Sequence, residues 1–366
     1  MQKIRFLIGL LLLAGTVHAA DIVIGQSTPL TGSNADIGKD IRDGALAYFS
    51  KVNAAGGVGG RTIKLVTLDD RNDPKVAAEN AKELIGQNVL ALFGYASSTL
   101  SLPSMQLVKD NRVPFFAPFT GAGVIRKQND YVFTIRVTYT EELEKILSYW
   151  TNLGVNRAVV VHYDDEVGKQ NYQTVASYLE RFGKKPTSVS IKRNADVGDA
   201  AVQAIVAADP QVIVLTTLYG PGTQIVKALK AAGKAYPISS LSFVGASQLA
   251  KAAGADAEGV SVALVVPLAT QGAIPVVREC REAWTKGGYK GTVSPTSLEA
   301  CVAAKVLVEG IRRAGKDPTR ESLKKGLEDL GHYDAGGLEL TFSPTSHNAG
   351  HYVDLAVISS GGDLRN

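Results

Sequence analysis

The sequence predicts an α/β protein built as two doubly wound lobes. β-rich apolar runs alternate with helical apolar stripes from residue 22 onward, and the same rhythm restarts after residue 157. The chain has 366 residues, enough for two domains of ordinary size, and 37 glycines punctuate the ends of its elements. With 45% hydrophobic and 20% charged residues, it has the composition of a globular protein.

In the first half, "IVIGQ" is a short strand, and Lys39 to Asn53 is a helix with its apolar stripe at Ile41, Ala45, Tyr48, Phe49 and Val52. "GRTIKLVTLDD" is a strand and Pro74 to Ile85 a helix; Val89 to Phe93 is a strand and Ser101 to Lys109 a helix. "VPFFAPF" and "YVFTIRV" read as two further strands. The second half repeats the alternation, with strands in "RAVVVHY", "SVSIK", "QVIVLTT" and "GVSVALVVP". Helices fall between them over Lys169 to Arg181, Gly198 to Ala208 and Thr223 to Ala232. Val276 to Ala314 is mostly helical, and "GLELTFSP" and "HYVDLAVI" close the chain as extended segments. Parallel α/β sheets offer ligands the carboxyl ends of their strands. The loops to inspect therefore follow Gln26, Phe93, Ala117, Tyr163, Thr217 and Ser240.

The N-terminus carries a different signal. Lys3 and Arg5 precede an apolar run from Phe6 to Ala14, which ends in the small-residue pattern Val17-His18-Ala19. Residues 1–19 thus read as a secretory signal peptide, cleaved after Ala19 or Ala20 and too short to span a bilayer. Thr16 stands where a lipoprotein signal would have its lipidated Cys, so a soluble, periplasmic, non-lipidated protein without direct membrane insertion is expected. The two cysteines, Cys280 and Cys301, lie in sequential helical stretches; in an oxidising compartment they form either a disulfide or two buried thiols. A net charge of +4, with Lys and Arg scattered, argues against a nucleic-acid partner.

Catalytic and cofactor patterns are missing from the loops. "YASS" is not a nucleophile elbow, and His162, at a strand end, is the only base that would border a cleft. His347 and His351 flank Asn and Gly rather than a helical Glu, so no metal site is expected. "GGVGG" follows a helix and precedes a strand, the reverse of a dinucleotide loop, so no cofactor is expected either. "DDE", Asp164 to Glu166, suits a helix N-terminus. What remains is the hydroxyl cluster Ser97, Ser98, Thr99 and Ser101, with a second donor-rich turn at Pro118 to Gly123. Such turns either cap a helix or cradle an anion.

The stretches "IVIGQSTPLTGSNADIGKDIRDGALAYFSKVNAAGGVGGRTIKLVTLDD", "NDPKVAAENAKELI", "LFGYASSTLSLPSMQLVKDNRVPFFAPFTGA", "VVVHYDDEVGKQ" and "SLEACVAAKVLVEGIRRAG" carry a family likeness. Together they resemble the periplasmic solute-binding proteins of ABC importers, in the leucine/isoleucine/valine-binding family with the type I fold. The resemblance implies two lobes joined by three hinge crossings, near Arg136 to Thr138, near Pro267 and near Phe342 to Ser346. The first lobe is then 20–137 plus 268–342, and the second 138–267 plus 343–366. It also implies no enzyme activity, a small-molecule ligand and a membrane permease as partner, with a ligand sensor signalling to a membrane receptor as the alternative.

Carried over position by position, the α-carboxylate turn falls on Ser98 with Ser97 and Thr99, and the second turn on Thr120 and Gly121. An apolar contact falls on Ile37, and the second-lobe positions fall on Tyr163, Val167, Tyr219, Ser242 and Phe243. The family's amino-acid binders place a Glu near Ser242 for the ligand ammonium; "SSLSFVG" has no acid. The resemblance with this departure implies a small carboxylate-bearing ligand, an amino acid or an aromatic or aliphatic acid, with an apolar or aromatic body. The family disulfide positions fall on Asn72 and Ser97, which leaves Cys280–Cys301 as the only pair that can bridge.

Overall fold

A computed structural model describes residues 20–127 and 130–366. The expected signal peptide, residues 1–19, lies outside the described residues. The first sheet comprises β1 (Ile22–Thr28), β2 (Ile63–Asp69), β3 (Ala91–Phe93), β4 (Phe115–Phe116) and β5 (Val132–Phe133), ordered β2-β1-β3-β4-β5 and all parallel. The second sheet begins with β6 (Ala158–Tyr163), β7 (Thr187–Ile191), β8 (Val212–Thr216), β9 (Ile238–Ser240) and β10 (Ser261–Leu264). A small hairpin, β11 (His332–Asp334) with β12 (Glu339–Thr341), precedes β13 (Asp354–Ile358) and β14 (Leu364–Arg365). The larger sheet runs β14-β13-β10-β9-β8-β6-β7, with β13 and β14 antiparallel at one edge. Two lobes of doubly wound α/β architecture follow, as the alternation of periods predicts.

Helix boundaries follow the local chemistry. Asp73 caps the helix Pro74–Gly86, accepting from the N–H of Lys75 at 2.7 Å, and Pro74 occupies the first helical position. Thr138 and Glu141 form a reciprocal capping box for the helix Tyr139–Asn152, which the sequence reading passes over. The stretch from Val276 to Ala314 is two helices, Pro275–Lys286 and Pro295–Arg313, and Cys280 and Cys301 bridge them. The disulfide alternative therefore holds over the two free thiols.

The helix Pro295–Arg313 packs along Ala35–Ala54, so the C-terminal helices belong to the first lobe. Phe342 and Ala349 are buried in the first-lobe core. The Ala349 N–H donates to the Thr134 carbonyl at 2.9 Å, and Gly350 bridges Leu340. The chain thus stays on the first lobe as far as Gly350 before entering β13, several residues later than the crossing expected near Phe342 to Ser346. Apolar packing continues from lobe to lobe: one buried cluster joins Leu92 and Phe115 through Tyr139 and Leu143 to Val160 and Val214.

Candidate functional site

The hydroxyl cluster after β3 divides its work. Ser97 has extended backbone and caps the next turn, its Oγ accepting from the Leu100 N–H at 3.2 Å. Ser101 folds back and donates to the Ser97 carbonyl at 2.6 Å. Ser98 instead meets Thr120 from the loop after β4, Oγ to Oγ1 at 2.8 Å, with both side chains buried. Thr120 Oγ1 also accepts from the Ala122 N–H at 3.0 Å. The Thr120 hydroxyl also bonds the Tyr139 phenol, so three hydroxyl protons serve this group, two mutual bonds use two of them, and one remains to donate to a ligand.

Gly121 has a steric reason. A Cβ there would lie 2.5 Å from the Tyr139 ring, which itself rests against Phe243 at 5.1 Å between centroids. Tyr139 is fully buried, and burial holds its phenol protonated, well above the usual range.

Opposite this cradle stands the second lobe. A narrow cavity is lined by Ser97, Ser98 and Thr99 on one side and by Tyr139, Tyr163, Val167, Gly168, Asn171, Arg193, Thr216 and Phe243 on the other. Gly168 lets the helix Glu166–Glu180 press onto the end of β6: a Cβ there would lie 2.0 Å from the Tyr163 carbonyl oxygen. Tyr163 spends its hydroxyl on structure, accepting from the Leu218 N–H at 3.1 Å, and offers its ring face to the Arg193 guanidinium at 3.7 Å. Asp165 caps the helix by accepting from the Gly168 N–H at 2.8 Å, as expected for the acidic trio, and also accepts from Arg193 Nη2 at 2.6 Å and Nε at 2.9 Å.

The lobes touch around this cavity. Asn72 Nδ2 donates to Asn194 Oδ1 at 3.2 Å, Gln248 Nε2 donates to Asp40 Oδ2 at 2.9 Å, and Ile37 packs under Gly245.

Six of the sequence-predicted residues line the cavity: Ser97, Ser98, Thr99, Tyr163, Val167 and Phe243. Thr120 and Gly121 stand directly behind, supporting Ser98 and Tyr139. Ile37 and Tyr219 sit at the seam between lobes, Tyr219 packing against the cores of both. Ser242 is turned away: its N–H donates to Glu142 Oε2 at 2.7 Å and its Oγ to Glu142 Oε1 at 3.0 Å, while Arg136 Nη2 donates to the same hydroxyl. An acid does stand beside Ser242, supplied by another helix, and both of its oxygens are committed to Ser242. Sequence reasoning missed Tyr139, Asn171, Arg193 and Thr216. The usable signal was the spacing of Val167 and Asn171, four apart and so on one helix face.

His162 faces away from the cavity residues, with Nε2 2.8 Å from Ser188 Oγ and Nδ1 2.9 Å from the Tyr163 carbonyl, which fits the ordinary strand-end reading. Among the described residues no cluster of His, Cys, Asp or Glu could hold a metal, and no helix is long and apolar enough to cross a membrane.

Residues 21–363 match the family model described as periplasmic binding protein. The chain belongs to this family. Within it, an amino acid binding protein of Pseudomonas aeruginosa is 28% identical over 69% of this chain and 71% of its own length. A substrate-binding periplasmic protein from Ralstonia solanacearum superposes with a TM-score of 0.88 at 32% identity, covering 94% of this chain and 99% of its own. A possible leucine/isoleucine/valine-binding protein from Rhodopirellula baltica SH 1 superposes with a TM-score of 0.90 at 26% identity, covering 95% and 96%. This periplasmic binding protein therefore has the type I fold, and its relatives are binding proteins of the Leu/Ile/Val-binding family, not enzymes.

Proposed function

We propose that this protein is the periplasmic solute-binding component of an ABC importer, and that it traps a small carboxylate-bearing ligand between its lobes. The observation that carries this reading is the buried Ser98–Thr120 hydroxyl pair, facing the second-lobe wall across a cavity whose described lining contains no carboxylate. A carboxylate suits neutral donors with one proton to give. An ammonium would enter without a charged partner, at a cost of several kcal/mol per unpaired ion. The ligand's acid group thus lies on the first lobe and its apolar body against Tyr163, Val167 and Phe243. Closure turns about the crossings at Arg136 to Thr138 and Pro267 and the segment after Gly350, and the closed form is what a permease would recognise.

Calorimetry with amino acids, aromatic carboxylates and aliphatic carboxylates tests the reading on the wild type and on Ser98→Ala. Simple carboxylates should bind, and Ser98→Ala should weaken them by about 10- to 100-fold, the loss of a hydrogen bond to a charged group. Binding of leucine but of no simple acid, or unchanged affinity in the variant, would overturn it. Import by vesicles holding the cognate permease, dependent on this protein, tests the transport role.

A further inference from the structure

We infer that the second lobe reads the far end of the ligand through Arg193 and Asn171, and that this end is an uncharged hydrogen-bonding group of the carboxamide type. The inference rests on the carboxylate reading above, which places the acid end on the first lobe.

Asn171 is only 4% exposed, lines the cavity, and its amide has no hydrogen-bond partner among the described residues. The amide opens onto the cavity, so a ligand that displaces the water there must replace its hydrogen bonds. It sits one helical turn beyond Val167, so both side chains face the ligand space from the same helix. Arg193 lines the same cavity from the loop after β7. Its Nε and Nη2 are taken by Asp165, and its plane is fixed on the Tyr163 ring. Its Nη1 makes no hydrogen bond among the described residues and remains a donor. The far wall therefore offers a guanidinium N–H beside an amide that both donates and accepts. A purely apolar ligand would leave both groups unmet.

The charge balance chooses between polar groups. Asp165 already lies 2.6 Å from the guanidinium, so the pair is neutral as a unit. A second carboxylate on the ligand would bring another anion onto the same cation and meet repulsion from Asp165. A carboxamide has no such conflict: its carbonyl accepts from Arg193 and Asn171, and its NH2 donates to the Asn171 oxygen.

The test uses probes of one shape. Succinamate, succinate and 4-methylpentanoate share a carboxylate and spacer, and end in a carboxamide, a carboxylate and an isopropyl group. By calorimetry on the full chain, succinamate should bind about tenfold tighter than 4-methylpentanoate, and tighter than succinate. Arg193→Met and Asn171→Leu should each narrow the first gap to about threefold or less, by weakening succinamate more than 4-methylpentanoate. Equal or tighter binding of 4-methylpentanoate or succinate, no binding by any of the three, or a gap that survives both substitutions overturns the proposal. The wild-type ratios decide even where a variant fails to fold. Succinamide separates the two readings: if it binds as tightly as succinamate, the carboxylate grip fails, whatever the far wall prefers.

Discussion

The hinge and the cleft handle charge in opposite ways. At the first crossing, Arg136 is wholly buried, with its Nε 3.3 Å from Glu299 Oε1 of the first lobe and its Nη2 donating to Ser242 of the second. Glu142 accepts twice from Ser242, and Arg126 donates to the carbonyls of Arg136 and Val137 at 2.9 and 2.8 Å. Two guanidiniums and two carboxylates are thus sealed where the lobes join. The first-lobe lining of the cavity among the described residues, Ser97, Ser98 and Thr99, offers neutral hydroxyls. Buried ions are costly unless paired, so full charges hold the parts that must stay in register. Neutral donors, which cost less to leave unmet, face the ligand.

The largest expected effect comes from breaking the charged side of that contrast. Arg136→Leu leaves Glu142 and Glu299 without their stronger cation and should destabilise the fold by about 3–5 kcal/mol. Nε of Arg136 lies within ion-pair distance of Glu299 without hydrogen-bond alignment, so the attraction is mainly Coulombic. Adding Glu299→Gln to Arg136→Leu should then recover part of the loss in a denaturant titration. If Arg136→Leu alone unfolds at the wild-type midpoint, the hinge network does not hold the lobes.

A smaller effect should appear in the pH dependence. Burial pushes the Glu299 carboxyl up from 4.5 to about 7, against the opposing pull of Arg136. The folded state therefore binds a proton that the unfolded state releases. The stability from this group is fully present below about pH 4.5 and is lost as pH rises through about 7. Glu299→Gln should flatten that fall by up to about 1.4 kcal/mol per pH unit, the slope of one proton. Midpoints measured from pH 5 to 8 with the slope unchanged would mean that Glu299 is already ionised in the fold.

This contrast also marks what the sequence could show. The hydroxyl turns were legible because parallel strands send the loops that follow them to one sheet edge, and Ser98 and Thr120 lie in the loops after neighbouring strands. Even there the division of labour was hidden: Ser97 caps, Ser101 folds back, and only Ser98 reaches across. The hinge network was not legible, because Glu142 and Ser242 are separated by 100 residues and each alone looks like surface polarity. Arg193 follows an edge strand with alternating exposure, so nothing in its neighbours marks it as inward-facing. The late third crossing was hidden for a related reason. Residues 343–350 have no strand periodicity, and the Ala349 and Thr134 pairing that keeps them on the first lobe is long-range.

The finest test lies on the charged pair whose arginine lines the cavity. Asp165 does two things at once, capping a helix through Oδ1 and neutralising Arg193 through Oδ2. Asp165→Asn separates them. The amide oxygen still accepts from the Gly168 N–H, and Asn caps nearly as well as Asp, so the thermal midpoint should hardly move. The charge is gone, however, and Arg193 becomes an uncompensated cation facing the cavity. Both side chains of the pair are partly exposed, at 23% and 33%, so screening keeps the gain small. Succinate affinity relative to succinamate should rise by about two- to fivefold, as read by calorimetry on wild type and variant side by side. A shifted ratio at unchanged stability ties the second lobe's discrimination to the balance of this pair rather than to the shape of the cavity. A ratio that does not move means the guanidinium does not reach the ligand, and the two faces of the cleft are then equally neutral.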